Sequence, residues 1–420
     1  MILKLKNIAK IKEATVEING ITVIAGANNT GKSTVGKALY SVFNSFYKIE
    51  QQIRQERQDS IEGNLYFLQR NIDSKISRKN ATDLAAEIVG NMDNLQTLED
   101  VKDRILENIA QTIGVDSIAD QEHFNRRVLG LYDILQIQDE DIFQRMLLRK
   151  LNIEFDGQIN NIFTNDQGMI ELVIKKEAVN ISLAENELLD IQGKFDLSTE
   201  AVYIDDPFVL DANIPFRYPS GILRGYDHRS HLQYKLFAQE FASNLVNEIL
   251  TTNRLENIFS KLNSVCSGEM VEQKRSGFGY RRQGTDKVLN IKNISTGLKT
   301  FVIIKTLLQK GVLTDNGTII LDEPEIHLHP EWQLLFAEII VLLQQEFGMH
   351  ILLNTHSPYF LHAIEVYATK YGVADKCKYY MADLDGDVAI IKDVSENIDL
   401  IYQKLAKPLQ DLEDEKYRDA

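Results

Sequence analysis

The octapeptide Gly26-Ala27-Asn28-Asn29-Thr30-Gly31-Lys32-Ser33 fits the spacing G-x-x-x-x-G-K-[ST] at every fixed position. Glycines at both ends let successive backbone N–H groups turn inward around an anion. Gly26, Asn28, Asn29, Thr30, Gly31 and the following Thr34 are therefore candidates to cradle a phosphate. Lys32 would then reach the outer phosphates of a nucleotide, and Ser33 would offer a hydroxyl to Mg²⁺. Far downstream, the apolar run Thr318-Ile319-Ile320-Leu321 ends in the acid pair Asp322-Glu323. Such a run reads as a buried strand delivering carboxylates to its C-terminal end, where ligands of α/β folds bind. Asp322 suits Mg²⁺, directly or through water, and Glu323 is placed to polarise an attacking water as general base. Alone, two acids after a strand more often mark a turn; the glycine-rich loop gives the pair its chemistry.

Two weaker candidates share that chemistry. Leu352-Leu353-Asn354-Thr355-His356 is an apolar run ending in a histidine. A lone histidine is more often structural, but here it sits where a γ-phosphate sensor is needed. Asn293-Ile294-Ser295-Thr296-Gly297-Leu298-Lys299-Thr300 is a small-residue turn opening the apolar helix Phe301 to Leu308. A helix N-terminus of that kind attracts anions.

The elements that must position these groups follow from hydrophobic period. Leu3-Lys4-Leu5 and Ala14 to Ile18 alternate like strands, and Ile21 to Ala25 reads as a buried strand. Asn19-Gly20 between the last two predicts a hairpin. A helix is expected from the Gly31-Lys32-Ser33-Thr34 turn through Leu39 to Phe43. From about residue 48 to 150 the pattern turns helical. Leu98, Val101, Ile105, Ile109 and Ile113 share one face, Thr97 and Asp100 make a capping box, and Gly114 stops that helix. This insertion reads either as a partner-binding arm or as a helical subdomain. Its scattered glycines argue against a long coiled coil. Met169 to Ile174 alternates again, Ala201 to Ile204 is a strand ended by Asp205-Asp206-Pro207, and Phe237, Phe241 and Leu245 have helical spacing. Strands are expected from Lys378 to Ile391, then a charged helix.

With these features the chain resembles the ABC-type P-loop ATPases. The stretch Asp322-Glu323-Pro324-Glu325-Ile326-His327-Leu328-His329-Pro330 is similar to the overcoming-lysogenization-defect and RecF-like branch. The motifs cover the first 45 and last 130 residues or so; the middle matches in layout only. The resemblance implies an α/β ABC-type head with an antiparallel β subdomain and a helical insertion. The expected parts are 1–47 with the P-loop, 48–150 as the insertion, 151–287 as the β subdomain and a second helical segment, and 288–420 as the rest of the head. It implies ATP and Mg²⁺ as cofactors, with Lys32, Glu323 and His356 catalytic and Ser33 and Asp322 at the metal. It further implies a homodimer or larger assembly of heads, with two sandwiched ATPs. Ser295 and Gly297 would then touch the partner's nucleotide, although Ser-Thr-Gly-Leu-Lys departs from the family's Leu-Ser-Gly-Gly-Gln signature. Glu325 to Pro330 would face the dimer interface, and Gln158 is the candidate for the family's glutamine loop.

Relatives in that branch carry a nuclease domain after the ATPase, and the stretch after His356 is too short for one. The chain thus resembles stand-alone ATPases of anti-phage systems of the Septu or PARIS type. What this implies is a nucleotide-driven switch controlling a separate effector. The alternative is a RecF-like DNA-repair ATPase that clamps DNA between its heads.

Bulk composition bounds these readings. Of 420 residues, 44% are hydrophobic and 25% charged, enough for a sizeable core. The net charge of −15 argues against a surface that binds nucleic acid by phosphate neutralisation alone. A cluster of Lys274, Arg275, Arg281, Arg282 and Lys287 around Phe278 and Tyr280 reads as a nucleic-acid contact or, more often, a solvated hairpin. Asp383-Leu384-Asp385-Gly386-Asp387 lacks the spaced acids of a calcium loop and reads as a hairpin turn. Two cysteines, Cys266 and Cys377, suggest packing residues in a reducing compartment. With no signal peptide and no apolar membrane span, a cytoplasmic protein is expected.

Overall fold

The computed structural model describes residues 1–72, 77–113, 120–211, 227–237, 255–273 and 277–418. They form two compact units, one made of Met1–Tyr47 with Leu147–Ala420, the other of Lys48–Met146.

The first unit is built on a sheet that contains both kinds of strand pattern. β3 (Ile21–Gly26), β7 (Ala201–Ile204) and β11 (Thr318–Asp322) are buried at every residue. β12 (His350–Thr355) is buried at all but its first. Such runs suit the parallel interior of a sheet covered on both faces. By contrast β1 (Ile2–Ile8), β4 (Gly168–Ile174) and β5 (Glu177–Ala184) alternate buried and partly exposed positions, as half-covered antiparallel strands do. With β2 (Ile11–Glu17), β6 (Glu187–Gln192), β13 (Cys377–Asp385) and β14 (Val388–Asp393) the order is β6-β5-β4-β1-β2-β14-β13-β3-β12-β11-β7. The run β13-β3-β12-β11-β7 is parallel throughout. The β6-β5-β4-β1-β2 end is antiparallel. A separate three-stranded sheet holds β8 (Glu269–Gln273), β9 (Gly277–Arg281) and β10 (Val288–Asn290).

The Asn19-Gly20 hairpin is overturned by this order. β2 and β3 do flank the dipeptide, but β14 and β13 lie between them in the sheet. The turn hands the chain to a different part of the sheet, because strands from the C-terminal end take the places beside each, β14 next to β2 and β13 next to β3. Asp383 to Asp387 is the turn of the β13–β14 hairpin, as expected. Asp385 pairs with Lys12 at 3.2 Å, and Asp383 pairs with Lys404.

Helices cover both faces. α1 (Lys32–Phe46) lies over Ile320 and Tyr203. A Cβ on Gly36 would come within 3.0 Å of Ile320 Cγ2 and of the Tyr203 hydroxyl oxygen, so only glycine lets this helix approach. The other face packs Val23, Ile319, Leu321, Ile351 and Leu353 into a core with apolar helices. Four of these are Glu256–Val265, Thr296–Gln309, Pro330–Phe347 and Pro358–Lys370, with His228–Phe237 a fifth. Phe241 and Leu245 lie outside the described residues. Both cysteines are buried and free.

The second unit has a core of its own. α2 (Ile49–Ile72), α3 (Arg78–Gly90), α4 (Leu98–Ile113) and α5 (Gln121–Gln136) pack Ile61, Leu65, Leu84, Ile88, Val101, Ile105, Phe124 and Val128 together. Helices this amphipathic need a mutual apolar face to be stable. The capping box at the start of α4 is formed: Thr97 N donates to Asp100 Oδ2 at 2.8 Å, and Asp100 N donates to Thr97 Oγ1 at 3.2 Å. Gly114 falls outside the described residues. α6 (Asp139–Glu154) runs from this unit into the first. Among the described residues no helix is long and apolar enough to cross a membrane.

Candidate functional site

The parallel strands β3, β12, β11 and β7 end at one edge of the sheet, and the sequence candidates gather there. β3 delivers Gly26 into a loop that turns through Asn29 at φ 63° and Gly31 at φ 78° before α1 begins at Lys32. Thr30 Oγ1 braces the turn by donating to Ala27 O at 2.8 Å. Lys32 is 4% exposed, and its ammonium donates to Gly26 O at 3.0 Å and Ala27 O at 2.9 Å. A cavity of about 440 Å³ is lined by Asn28 to Thr34, Asp322 and Glu323, joined by Lys10, Asp205 and Ile326.

The acid pair divides its surroundings. Asp322 is 8% exposed; Tyr203 donates its hydroxyl to Oδ2 at 2.8 Å and Asn354 Nδ2 donates to Oδ1 at 2.9 Å. Both donors are neutral, and no ion pair to Asp322 occurs among the described residues. A buried carboxylate in that state calls for a cation. The nearby Ser33 hydroxyl makes the donor set all oxygen, which fits Mg²⁺. Burial, then the neighbouring Asp322 charge, pushes the Tyr203 phenol far above its ordinary range, so it stays a donor. Glu323 sits at φ 49°, a conformation that costs a non-glycine residue energy and that clusters at functional sites. Its Oε1 lies 3.3 Å from Lys32 Nζ and 3.4 Å from His356 Nδ1. The three expected catalytic groups thus meet at one oxygen.

Behind them, Glu325 ties the acid strand to the histidine loop. It is 1% exposed; its Oε1 accepts from Thr355 Oγ1, and from His356 N at 3.3 Å. Burial lifts this carboxyl above its usual range against the hydrogen bond from Thr355.

Ser295 and Gly297 stand apart. They line a second cavity of about 480 Å³ with Thr296, His327, His329 and Trp332. Ser295 caps the helix Thr296–Gln309 by position, but its side chain makes no cap hydrogen bond. No residue lines both cavities, so the signature turn does not join its own chain's P-loop. Gln158 is exposed and lines neither cavity. Of the basic cluster, Lys274 and Arg275 lie outside the described residues. Arg281 pairs with Glu269 at 2.6 Å, and Tyr280 is buried, donating to Cys266 Sγ at 3.6 Å.

Sequence reasoning missed Asp205, Tyr203, His228, Glu154 and Lys10. Asp205 had a signal: Ala201-Val202-Tyr203-Ile204-Asp205-Asp206-Pro207 repeats the pattern of Thr318 to Pro324, an apolar run ending in two acids and a proline, although two acids after a strand more often mark a turn. The other four carry no motif.

Residues 21–362, more than half of the chain, match the family model described as "AAA domain, putative AbiEii toxin, Type IV TA system". The chain belongs to that family. Its fold is a mixed α/β sheet with helices on both faces and a P-loop between β3 and α1. Among solved structures, this AAA-domain chain is similar to the SMC head bound to the C-winged helix domain of ScpA. That match has 11% identity and a TM-score of 0.45, and covers 95% of this chain and 98% of the other. The SMC head domain from Thermotoga maritima matches at 11% identity with a TM-score of 0.37, covering 94% and 98%. The Smc head domain with an extended coiled coil from Pyrococcus furiosus matches at 12% identity with a TM-score of 0.35, covering 98% of each chain. Similarities at these scores carry no part of the functional reading.

Proposed function

We propose that this chain is a Mg²⁺-dependent ATPase whose hydrolysis site is the P-loop cavity. The observation that carries the reading is the meeting of Lys32 and His356 on one oxygen of Glu323 beside the buried Asp322. Lys32 pairs with Glu323 and donates to the carbonyls of Gly26 and Ala27. The β- and γ-phosphates of ATP would draw Lys32 onto themselves, freeing Glu323 to take a proton from the attacking water. His356, fixed through its backbone by Glu325, would hydrogen-bond the γ-phosphate. Mg²⁺ held by Ser33 and Asp322 would neutralise charge building up between the phosphates.

The separation of the two cavities supports a second element. A head that cannot bring Ser295 and Gly297 to its own nucleotide would use them on the nucleotide of a second copy. ATP then closes two heads together and hydrolysis opens them, which is what a switch controlling a separate effector in anti-phage defence requires. The DNA-clamp alternative would draw on Arg282 and Lys287, which are exposed, while Arg281 of the same cluster pairs with Glu269.

Solution mass tests the switch. Glu323→Gln should shift to a dimer or larger assembly when ATP and Mg²⁺ are added, and Glu323→Gln with Ser295→Arg should not. ATP binding without any change of mass would leave a nucleotide-binding monomer and end the switch reading.

A further inference from the structure

Asp205 belongs to none of the motifs, yet it lines the P-loop cavity. β7 runs parallel to β11 with Ile204 opposite Leu321, so Asp205 and Asp322 leave neighbouring strands at the same height. The two carboxylates also share a scaffold. Tyr203 donates to Asp322, and the His228 ring stacks on Tyr203 at 4.2 Å. His228 Nε2 lies 3.1 Å from Asp205 Oδ2, and its Nδ1 lies 2.6 Å from Glu154 Oε2. Glu154 in turn accepts from His228 N at 2.7 Å.

Arg229 completes the clamp. Its Nε donates to Asp205 Oδ1 at 3.0 Å and to Oδ2 at 2.9 Å, and its Nη2 donates to Oδ2 at 2.6 Å. Oδ2 is therefore saturated, while Oδ1 has accepted one N–H and keeps a lone-pair direction. Three carboxylates, Glu154, Asp205 and Asp206, face His228 and Arg229, and Asp205 itself touches both of these cationic partners, so much of its charge is offset locally. Offset in this way, Asp205 repels a neighbouring polyphosphate less than a free carboxylate would. Such a carboxylate is a poor direct metal ligand but a good acceptor for the O–H of a water.

We propose that Asp205 accepts a hydrogen bond from a water of the Mg²⁺ hydration shell in the bound Mg–ATP complex, with His228 and Arg229 as positioning residues. This rests on the Mg²⁺-dependent ATPase reading above. It makes the site select metal-bound nucleotide over free nucleotide.

Calorimetric binding of a non-hydrolysable ATP analogue to the full chain, in MgCl₂ and in EDTA, tests it. In Asp205→Asn the amide would turn its oxygen to Arg229 and His228 and present N–H to the cavity, where it cannot accept. Affinity in Mg²⁺ should fall about tenfold, as for one lost hydrogen bond, with affinity in EDTA unchanged. Arg229→Gln, at a half-exposed side chain, should give a smaller loss of the same metal-dependent kind, and it serves if Asp205→Asn does not fold. Equal losses with and without Mg²⁺ would make the cluster merely structural and overturn the proposal, as would no loss in either. A wild-type protein that binds no better in Mg²⁺ than in EDTA would instead remove the ATPase reading itself, and this inference with it.

Discussion

The helical unit and the nucleotide-binding unit both bury polar groups, but they use them differently. In the helical unit, Arg57 is 3% exposed and its guanidinium closes the C-terminal end of α5. It donates to Ile134 O at 2.7 Å, Leu135 O at 3.2 Å and Ile137 O at 2.8 Å, and pairs with Asp139 at 2.6 Å. Gln69 bridges Asn80 at 2.6 Å and Asn108 at 3.2 Å. Orphaned atoms here, Gln69 Oε1 and Arg104 Nε, occur singly on residues otherwise engaged. In the nucleotide-binding unit such atoms are spread more widely, Thr318 Oγ1 and His350 Nδ1 at the far end of the parallel strands among them, but Glu325 Oε2, Asn354 Oδ1 and His356 Nδ1 gather at the strands' C-terminal edge beside Asp322 with its neutral donors. Polar burial that closes on itself is architecture. Polar burial left open along one edge is waiting for a ligand.

The largest effect that sharpens this contrast is Lys32→Ala, which should weaken ATP binding and lower turnover by roughly 100-fold or more while leaving unfolding of the helical unit unchanged, read by calorimetry and phosphate release. Ile105→Ala should do the reverse. It opens a cavity at a fully buried position and costs the helical unit about 2–5 kcal/mol in denaturant unfolding, with ATP affinity of the folded protein unchanged. Loss of ATP binding in Ile105→Ala would break the comparison. Tyr203→Phe leaves Asp322 Oδ2 without its donor, a penalty of about 1–3 kcal/mol that should also raise the Mg²⁺ concentration needed for turnover.

The His228 cluster gives the nucleotide-binding unit a pH dependence. Burial favours the neutral ring, but hydrogen bonds with Asp205 and Glu154 prevail and lift the His228 pKa from 6.5 to about 9. A folded pKa above the unfolded one gives stability that is complete below pH 6.5 and is lost as pH rises through about 9. Asp205 runs the other way. Burial opposes its charge, yet His228 and Arg229 hold it at about 2, so its contribution is present above pH 3.8 and lost as pH falls through about 2. Thermal unfolding should show falling stability on the alkaline side, and His228→Gln should flatten that slope. The smallest effect is Thr97→Ala, which removes the Oγ1 cap of α4 and should cost about 1 kcal/mol in the helical unit alone.

What was legible in the sequence shares one physical character. The P-loop, the acid pair, His356 and the Thr97–Asp100 box are each specified by residues close together in the chain, where spacing fixes geometry. What was not legible depends on pairing between distant segments. Asn19-Gly20 satisfies every local rule for a hairpin, but β13 and β14, from the other end of the chain, take the space between its strands. Asp205 becomes part of the site only because β7 docks beside β11, and His228 because the start of its helix meets Glu154. Gln158 carried the right residue type in a turn that never reaches the cavity.

The central claim is that the P-loop cavity hydrolyses ATP with Glu323 as its base. Phosphate release and ATP affinity, measured together for the wild type and Glu323→Gln, test it most directly. The account predicts Mg²⁺-dependent release by the wild type, and in the variant a loss of roughly 100-fold or more with ATP affinity retained. Equal release by the two proteins, or none from the wild type, would contradict it.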